Sequence, residues 1–285
     1  MTQTSVSQAS VISTINYCGT DGLPPKMQFD LTDAKNSIGG PRDSRETPVY
    51  NARLMDPAPT LDVNGFMMLN HPTAVSDFDD PVQVDRYYRE AEKLLDELLH
   101  PEVTFMFGHI FRTDDPEETR KRMESEEPLE RSRGGTAGGA HVDFAEEAIA
   151  QYVEEFGGER AAELAEKRIV NLNVWRPIGK VERMPLALCD GSTASRSGMV
   201  PIDMYNAVGP YSTMKVGLSV QYEPGHRWYY YPDMTSDEVL VFKTYDSDPS
   251  VVQRVPHSAI VDPTSAPDAP PRHSIEVRAL CFLPN

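Results

Sequence analysis

The chain has 285 residues, of which 39% are hydrophobic and 25% are charged, a balance typical of a folded protein rather than a disordered one. Its 44 acidic and 27 basic residues give a formal net charge of -17, which disfavours binding to a nucleic-acid backbone. No apolar run reaches the roughly 18 residues of a membrane span, and the N-terminus lacks the basic and apolar segments of a signal peptide. We therefore expect one soluble, cytoplasmic domain over residues 1–285, with neither nucleic acid nor a membrane as a partner.

The three cysteines, Cys18, Cys189 and Cys281, are widely spaced along the chain. Their odd number and the lack of a Cys-x-x-Cys pair argue against a disulfide framework and against a thiolate zinc site. We expect three unpaired thiols that are buried or inert.

The first predicted element is an irregular N-terminal arm over residues 1–57, where scattered Pro, Gly and Asp leave little periodicity. We expect this arm to wrap the body of the protein. Residues 80–99 carry apolar side chains at helical spacing, which predicts a surface helix with one buried face. The segment "VTFMFGHIF", residues 103–111, alternates as a strand does and places His109 on the apolar face. Residues 116–135 form a mixed-charge run, which predicts a solvated loop or flap.

Residues 144–167 have the pattern of two short helices broken at Gly157 and Gly158. Seven apolar segments of strand length follow, separated by clusters of Gly, Pro, Asp and Ser: 169–175, 185–189, 214–222, 227–231, 238–245, 257–261 and 273–282. The stretch 191–213 is loop-like. Short strands in succession after helices predict an α+β chain, with an antiparallel β-sandwich or barrel and helices packed outside it.

The stretch "GGAHVDFAEEA", residues 138–148, places His141 and Asp143 one residue apart behind two glycines. Alternate residues of an extended segment project to the same side, so the imidazole and the carboxylate can reach one ion. An Fe(II) site of two histidines and one carboxylate leaves three coordination positions open. Because His-x-Asp occurs by chance in many chains, this pair alone favours a solvated loop over an iron site.

The C-terminal strand region supplies a second histidine in "RVPHSAIVDPTSAPDAPPRHSIEVR", where His257 precedes Arg272 and Ser274. Arg272 and Ser274 project from the same face of a strand, and a guanidinium with a hydroxyl can bind a distal carboxylate. The C5 end of 2-oxoglutarate requires such a clamp. His226 in "GHRWYYY" is a competing metal ligand, but no Arg-x-Ser follows it.

Two more arginines compete for the same carboxylate. Arg278 falls on the same strand face as Arg272, and an ion pair with Glu276 is its alternative structural role. We favour Arg272 as the main clamp. Arg176 in "NVWRP" could contact oxoglutarate or a substrate carboxylate, and a salt-bridged scaffold arginine explains it equally well.

The order His-x-Asp, distal His and Arg-x-Ser resembles the Fe(II)/2-oxoglutarate-dependent oxygenases. Wider stretches resemble the branch that contains the aspergillic-acid-cluster hydroxylase/desaturase and gibberellin-desaturase-like proteins of natural-product pathways. These stretches are "HVDF", "NVWRPIGKVERMPLALCD", "YSTMKVGLSVQYEPGHRWYYYPDMTSDEVLVFKTYDSD", and "PHSAIVDP" with "PRHSIEVRAL". The resemblance covers roughly residues 60–283.

The resemblance implies a double-stranded β-helix (jelly-roll) core with flanking helices. It also implies that His141, Asp143 and His257 bind Fe(II), and that Arg272 with Ser274 clamps 2-oxoglutarate as the cosubstrate. The implied activity is the hydroxylation, desaturation or ring closure of a small natural product or an amino-acid-derived substrate in secondary metabolism. The remaining partner is then O2, and a homodimer is compatible with the sequence.

The sequence also offers candidate substrate contacts and leaves two other functions open. Candidates for lining the substrate cavity are Arg112, Tyr211, Lys215 and Trp228, although aromatic strand residues such as Trp228 more often pack in the core. A zinc-dependent hydrolase could use the same His/Asp/His site to activate water, but it would have no need of Arg272 and Ser274. A non-catalytic jelly-roll binding protein is the third hypothesis.

Overall fold

The computed structural model of the chain describes residues 9–19, 28–30, 42–124, 133–205 and 215–284. The strands in these ranges are β1 Ser10–Cys18, β2 Gln28–Asp30, β3 Arg42–Asn51, β4 Phe66–Asn70, β5 Val103–Thr113, β6 Arg133–Gly135, β7 His141–Val142, β8 Arg168–Pro177, β9 Leu186–Cys189, β10 Met199–Tyr205, β11 Lys215–Val220, β12 Trp228–Tyr230, β13 Glu238–Asp246, β14 His257–Ala259 and β15 His273–Leu283. The α-helices are α1 Pro81–Leu99, α2 Pro116–Glu124, α3 Glu146–Gly157 and α4 Ala161–Ala165.

The described strands form two sheets. The large sheet has the order β1-β3-β12-β9-β14-β7-β11-β10-β2, and the small sheet has the order β4-β13-β8-β15-β5-β6. Most neighbours are antiparallel, whereas β10 with β2, β12 with β3 and β5 with β6 are parallel. Two mainly antiparallel sheets with helices packed outside them agree with the architecture predicted from the order of helices and strands.

Both faces of the small sheet are buried. Alternate side chains of its central strands β8 and β15 point to opposite faces. Its outer face packs under α1 through a cluster that includes Val174, Val277 and Tyr87. Its inner face carries Trp175, which packs with Leu188 of the large sheet. Burial of one such large apolar side chain contributes roughly 1.5–3 kcal/mol. The division into faces decides which polar side chains of β8 and β15 can meet the large sheet.

Helix α1 confirms the helix predicted over residues 80–99. The Asp80 side chain accepts a hydrogen bond from the backbone N–H of Val82, and Pro81 occupies the first turn, so both favour a start at this point. The helix ends at His100, whose φ of 51° is left-handed. In consequence, the apolar side of α1 is fixed against the outer face of the small sheet.

Strand β5 changes phase at Gly108, and this differs from the prediction for residues 103–111. Gly108 has φ 59°, and the register of β5 against β15 shifts between Val277 and Arg278. Phe107 therefore packs near α3 on the inner face, whereas Phe111 packs under α1 on the outer face. A β-bulge of this kind adds one residue and reverses the alternation beyond it. His109 consequently lies on the outer face beside Phe111, opposite to Phe107, and shares a 3.0 Å hydrogen bond with Tyr88 of α1.

The N-terminal arm is more regular than its composition indicates. Strands β1 and β3 pair antiparallel along their whole length, and β3 joins the large sheet through β12. Ile15 and Tyr17 of β1 are buried in a cluster with Ala140 and Val220. Every second residue of β1 from Val11 is buried, but the sequence obscures this strand pattern because Ile12 is apolar and exposed whereas Ser13 is polar and buried.

Two other segments also differ from their predictions. The charged run predicted as a loop contains helix α2, whose first turn carries Glu117 and Glu118 at the end that favours acidic residues. The loop-like stretch 191–213 contains β10, which pairs with β11. The three cysteines are buried and unpaired, as expected. In the described part of the chain, no helix combines the length and the apolar character needed to cross a membrane.

Candidate metal centre

The large sheet brings together the three residues of the predicted triad. His141 of β7 lies directly opposite His257 of β14 in an antiparallel pair. Asp143 follows β7, and its Oδ1 lies 3.4 Å from His141 Nε2 and 3.8 Å from His257 Nε2. One ligand atom from each residue can be chosen so that all three lie within 4.8 Å of one another. They could therefore share one ion.

A close approach of two strands holds Asp143 in place. Gly217 of β11 lies so near to β7 that a Cβ atom at this position would be 3.0 Å from the carbonyl oxygen of Val142 and 3.2 Å from that of Asp143. These contacts would be tighter than ordinary van der Waals contact, so any larger residue would push β7 away from β11. Glycine at position 217 thus fixes the backbone that carries the carboxylate.

Backbone carbonyl groups orient both imidazoles. His141 Nδ1 lies 2.7 Å from the carbonyl oxygen of Gly139, and His257 Nδ1 lies 3.2 Å from that of Val255. A carbonyl oxygen can only accept, so each Nδ1 carries the proton and each Nε2 presents a lone pair. Metal-binding histidines have this arrangement, in which the second ring nitrogen is held by an outer partner.

The two oxygens of Asp143 have separate partners. Oδ1 faces the histidines, whereas Oδ2 accepts a 2.6 Å hydrogen bond from Asn173 Nδ2. The guanidinium of Arg278 lies 3.7 Å from the same Oδ2. Asn173 and Arg278 pair with each other across β8 and β15, so the small sheet supplies both contacts. This leaves Oδ1 as the oxygen directed to a shared ion.

Burial and charge set the protonation of the triad. Burial, together with the charge of His141, lowers the pKa of His257 to about 3. Burial alone would lower the pKa of His141 and raise that of Asp143, but neighbouring groups outweigh burial at both residues. The hydrogen bond and charge of Asp143 raise the pKa of His141, and Arg278 with the two histidines lowers the pKa of Asp143 well below its usual value. His257 is therefore neutral and Asp143 ionised, the forms in which each could bind a metal ion.

These residues fit Fe(II). Two neutral or readily deprotonated imidazoles and one carboxylate are the donor set of non-haem iron oxygenases, which leave positions open for other ligands. The three donors come from one side, where β7 and β14 meet. In the described part of the chain, no other group of His, Cys, Asp or Glu meets the same distance criterion, and His226 is not in this group. His226 instead stacks on Tyr17 and lies 3.7 Å from Glu223.

The predicted carboxylate clamp lies at the start of β15 on the inner face of the small sheet. Arg272 is buried, its guanidinium lies over the ring of Trp175, and its NH1 donates to the carbonyl oxygen of Met184 at 2.6 Å. Its Nε has no hydrogen-bond partner, and neither has the buried hydroxyl of Ser274. Burial lowers the pKa of Arg272 to about 10. Buried polar atoms without a partner are costly, and a bound carboxylate would satisfy both.

Further charges continue along the same face. Glu276 and Arg278 follow Ser274 at alternate positions of β15, and the carboxylate of Glu276 lies 3.7 Å from Arg278. Burial and the neighbouring charge of Asp143 raise the pKa of Glu276 to about 7. Arg112 of β5 is opposite Ser274 in the register. The inner face thus carries three arginines around two carboxylates.

Two predicted contacts are corrected by the structure. Arg176 is on the outer face of the small sheet, where it donates to the carbonyl oxygens of His71 and Ser236 and lies over the ring of Tyr87. It pairs with Ile275 rather than with Ser274 or Glu276, so the sheet separates it from the triad. It is a scaffold arginine, the alternative that its sequence context left open.

Trp228 also points away from the triad. It pairs with Cys189, whereas His257 pairs with Leu188, so the two side chains are on opposite faces of the large sheet. Its indole N–H donates to the hydroxyl of Tyr17 at 2.7 Å. Trp228 is therefore a core residue under the N-terminal arm. Tyr211 lies outside the described residues, and Lys215 is the first residue of β11, without a described side chain.

Sequence reasoning missed Asn173, the residue that holds Asp143. Its signal was weak but present, because Asn171 and Asn173 alternate with Val170, Leu172 and Val174 in a fully buried strand. A buried asparagine needs hydrogen-bond partners, and two of them on one strand face indicate polar neighbours there. The side chain of Asn171 donates a hydrogen bond to Thr244, and that of Asn173 donates one to Asp143.

Comparisons with known proteins agree with this geometry. A family model described as an oxidoreductase/YMDC permease-like domain matches residues 15–282. An alpha-ketoglutarate-dependent dioxygenase of Talaromyces stipitatus is 30% identical over 273 residues, which cover 91% of this chain and 92% of the relative. A hydroxylase/desaturase of Cercospora beticola is 28% identical over 251 residues, 84% of this chain and 77% of the relative.

A solved structure supports the fold. The iron and alpha-ketoglutarate-dependent endoperoxidase NvfI superposes with a TM-score of 0.82 at 23% sequence identity, over 98% of this chain and 100% of the other. Likeness at this level of identity establishes the fold, and it confirms the predicted double-stranded β-helix core.

Proposed function

Because the chain belongs to the oxidoreductase family matched by that model, and within it to the Fe(II)/2-oxoglutarate-dependent dioxygenases, we propose that it oxidises a small natural product at its His/Asp/His centre. Its relatives include hydroxylase/desaturases as well as dioxygenases. Hydroxylation, desaturation and ring closure all begin with removal of a substrate hydrogen, so one site serves each of them. The reaction uses O2 and 2-oxoglutarate.

The proposed roles follow from the contacts. His141, Asp143 and His257 would hold the iron, and Arg272 with Ser274 would bind the distal carboxylate of oxoglutarate. When bound, the iron and oxoglutarate supply the oxidising chemistry, with oxoglutarate converted to succinate and CO2. The protein binds and orients the reactants, and Asn173 with Arg278 keeps Asp143 Oδ1 turned to the metal.

The convergence of the two sheets carries this proposal. The large sheet gathers three ligand atoms within 4.8 Å, and the facing strand of the small sheet holds two buried polar atoms, Arg272 Nε and Ser274 Oγ, without partners. A zinc hydrolase would use the first feature and leave the second unexplained. The relatives that are named as 2-oxoglutarate-dependent dioxygenases also favour the oxygenase.

Arg272 is a better candidate for the clamp than Arg278. Arg278 already lies between Asp143 and Glu276, and the charges of both raise its pKa although burial opposes this. A guanidinium engaged by two carboxylates has little capacity for a third. Arg272 has no described carboxylate at ion-pair distance from its guanidinium and keeps a free N–H.

An anaerobic titration with Fe(II) and oxoglutarate tests the proposal. The wild type should develop the weak visible charge-transfer band of iron-bound oxoglutarate, and the band should be absent in Asp143→Ala. Arg272→Gln should form it only at higher oxoglutarate concentration, while His226→Gln, which changes a histidine outside the triad, should behave as the wild type. A wild-type protein that binds Zn(II) but gives no band with Fe(II) and oxoglutarate would overturn the assignment.

A further inference from the structure

We propose that the substrate of this enzyme is an organic carboxylate and that Arg112 binds its carboxylate group. This inference rests on the proposed function, since it names the substrate class of the same site. It depends on three observations: the side of the sheet on which Arg112 lies, its present partners, and the balance of charge around the triad.

The bulge in β5 brings Arg112 to the inner face. Beyond Gly108 the alternation is reversed, so Arg112 shares a face with Ser274, its register partner. Its charge acts on the triad, because it contributes to lowering the pKa of His257 and opposes the upward pKa shift of His141. Arg112 therefore faces the metal centre.

Arg112 and Arg272 lie on different sides of β15. Arg272 leans towards β8, where its guanidinium lies over Trp175. Arg112 is on β5, and its NH1 donates to the carbonyl oxygen of Gly135 in β6 at 3.0 Å. Oxoglutarate clamped by Arg272 would thus leave Arg112 on the neighbouring part of the face, available to a second molecule.

The guanidinium of Arg112 has no charged partner at ion-pair distance within the described ranges. Glu276, on the same face, is turned to Arg278 at 3.7 Å. Burial is the main cause that lowers the pKa of Arg112, and it outweighs the opposing charges of Glu276 and Asp143. A half-buried guanidinium with a single backbone acceptor retains several donors in a planar fork, which matches a carboxylate.

The charge balance of the loaded site favours an anion. Three guanidinium groups, those of Arg112, Arg272 and Arg278, stand against the carboxylates of Asp143 and Glu276. Asp114 also acts on Arg272, but its charge is balanced by an ion pair with Arg183 at 2.5 Å. Fe(II) and the oxoglutarate dianion add opposite and equal charges. At least one positive charge therefore remains, and the partner missing from the inner face is an anion. A neutral substrate would leave that charge partly desolvated, at a cost in affinity.

Binding of matched acids and amides provides the test. The probes are phenylacetate, cinnamate, indole-3-acetate and cyclohexanecarboxylate, each paired with its primary amide, and binding is measured by calorimetry on protein loaded with Mn(II) and oxoglutarate. The wild type should bind at least one acid more tightly than its amide by about tenfold or more, as expected for a hydrogen bond to a charged group. Arg112→Gln should reduce that preference to less than about twofold, with part of it retained in Arg112→Lys.

Two controls separate the possible failures. Arg160→Gln removes an exposed arginine paired with Glu163 and should keep the full preference for the acid. The oxoglutarate affinity of Arg112→Gln should stay within about twofold of the wild-type value, whereas Arg272→Gln should lose affinity. If the Arg112→Gln protein does not fold, Arg112→Lys carries the test, because it should keep the charge and lose the bidentate geometry.

Three results would overturn the inference. The first is a wild type that binds none of the four acids more tightly than its amide. The second is a preference for the acid that survives in Arg112→Gln. If Arg112→Gln does not fold, the second result is a full preference for the acid in Arg112→Lys. The third is loss of oxoglutarate affinity in Arg112→Gln, which would assign Arg112 to the cosubstrate clamp. Failure of the proposed function would look different, because the wild type would then not bind oxoglutarate with the metal at all.

Discussion

His141 and His257 lie directly opposite each other on adjacent antiparallel strands, with ring centroids 4.3 Å apart. The pair depends on the register of the large sheet, because a slip of one residue in β14 would turn His257 to the opposite face. Phe242 packs 4.8 Å from the imidazole of His257 on the side of the small sheet. The metal centre is therefore a product of the sheet register as much as of the ligands themselves.

Replacement of His257 by glutamine should abolish metal binding while the fold is kept. Glutamine has a similar volume but is a poor ligand, so the affinity for Mn(II) should fall by at least about 100-fold. Calorimetry with Mn(II) measures the loss, and circular dichroism checks the fold. His226→Gln is the matched control, since His226 contacts Tyr17 and Glu223 instead. Equal metal affinity in His257→Gln and the wild type would remove His257 from the centre.

Replacement of Asn173 by alanine should weaken metal binding without removing a ligand. The variant loses the 2.6 Å hydrogen bond to Asp143 Oδ2, so the carboxylate can rotate. Outer-shell partners of this kind typically contribute about 10–100-fold to metal affinity. Asn171→Ala is a close control, because Asn171 is on the same strand face but bonds Thr244. A loss of metal affinity as large in Asn171→Ala as in Asn173→Ala would indicate a general disturbance of β8 and contradict a positioning role.

Arg272 and Arg176 should have opposite effects on oxoglutarate. Arg272→Gln should raise the oxoglutarate KM by about 10-fold or more, because a charged donor to the distal carboxylate is lost. Arg176→Gln should leave that KM unchanged and lower the free energy of unfolding, since Arg176 holds His71 and Ser236 on the outer face. Succinate formation over a range of oxoglutarate concentrations measures the first effect, and urea unfolding measures the second. A KM effect in Arg176→Gln alone would reverse our assignment.

Much of the metal centre could be predicted from the sequence. The chemistry of Fe(II) restricts the ligands to a few residue types, and His141 with Asp143 marks one strand end while His257 marks another. The positions of several strands could also be predicted, because β8, β13 and β15 are rich in apolar residues and end at or just before Pro177, Asp246 and Pro284. The alternation of β1 was hidden in the sequence, because the exposed Ile12 is apolar and the buried Ser13 is polar.

The sheet face to which each side chain points was harder to predict, because it depends on strand register and on bulges. Arg176 and Trp228 were candidates for the site, but the register of each strand turns both side chains away from the triad. Arg112 faces the centre because Gly108 allows a bulge that reverses the alternation of β5. A bulge is set by pairing with another strand, and a single strand's pattern does not reveal it.

Glu276 gives the protein a pH-dependent stability that can be measured without substrate. Burial and the charge of Asp143 raise the pKa of Glu276 from the usual 4.5 to about 7 in the folded protein. Between these values the folded state keeps a proton that the unfolded state releases, so the free energy of unfolding falls as pH rises. Glutamine cannot ionise, and Glu276→Gln should escape this loss.

The free energy of unfolding of Glu276→Gln should therefore rise relative to the wild type by about 2 kcal/mol between pH 5.5 and pH 8.5. Urea unfolding of metal-free protein in EDTA measures the difference, and the triad histidines are common to both proteins. Glu238→Gln is the matched control, because hydrogen bonds from Arg53 and the backbone of Thr235 lower the pKa of Glu238 against the effect of burial. That group is already ionised at pH 5.5, so its variant should show no change over the interval. A flat difference for Glu276→Gln would mean that Glu276 is ionised throughout the interval, with Arg278 offsetting the effect of burial, and it would contradict the raised pKa of Glu276.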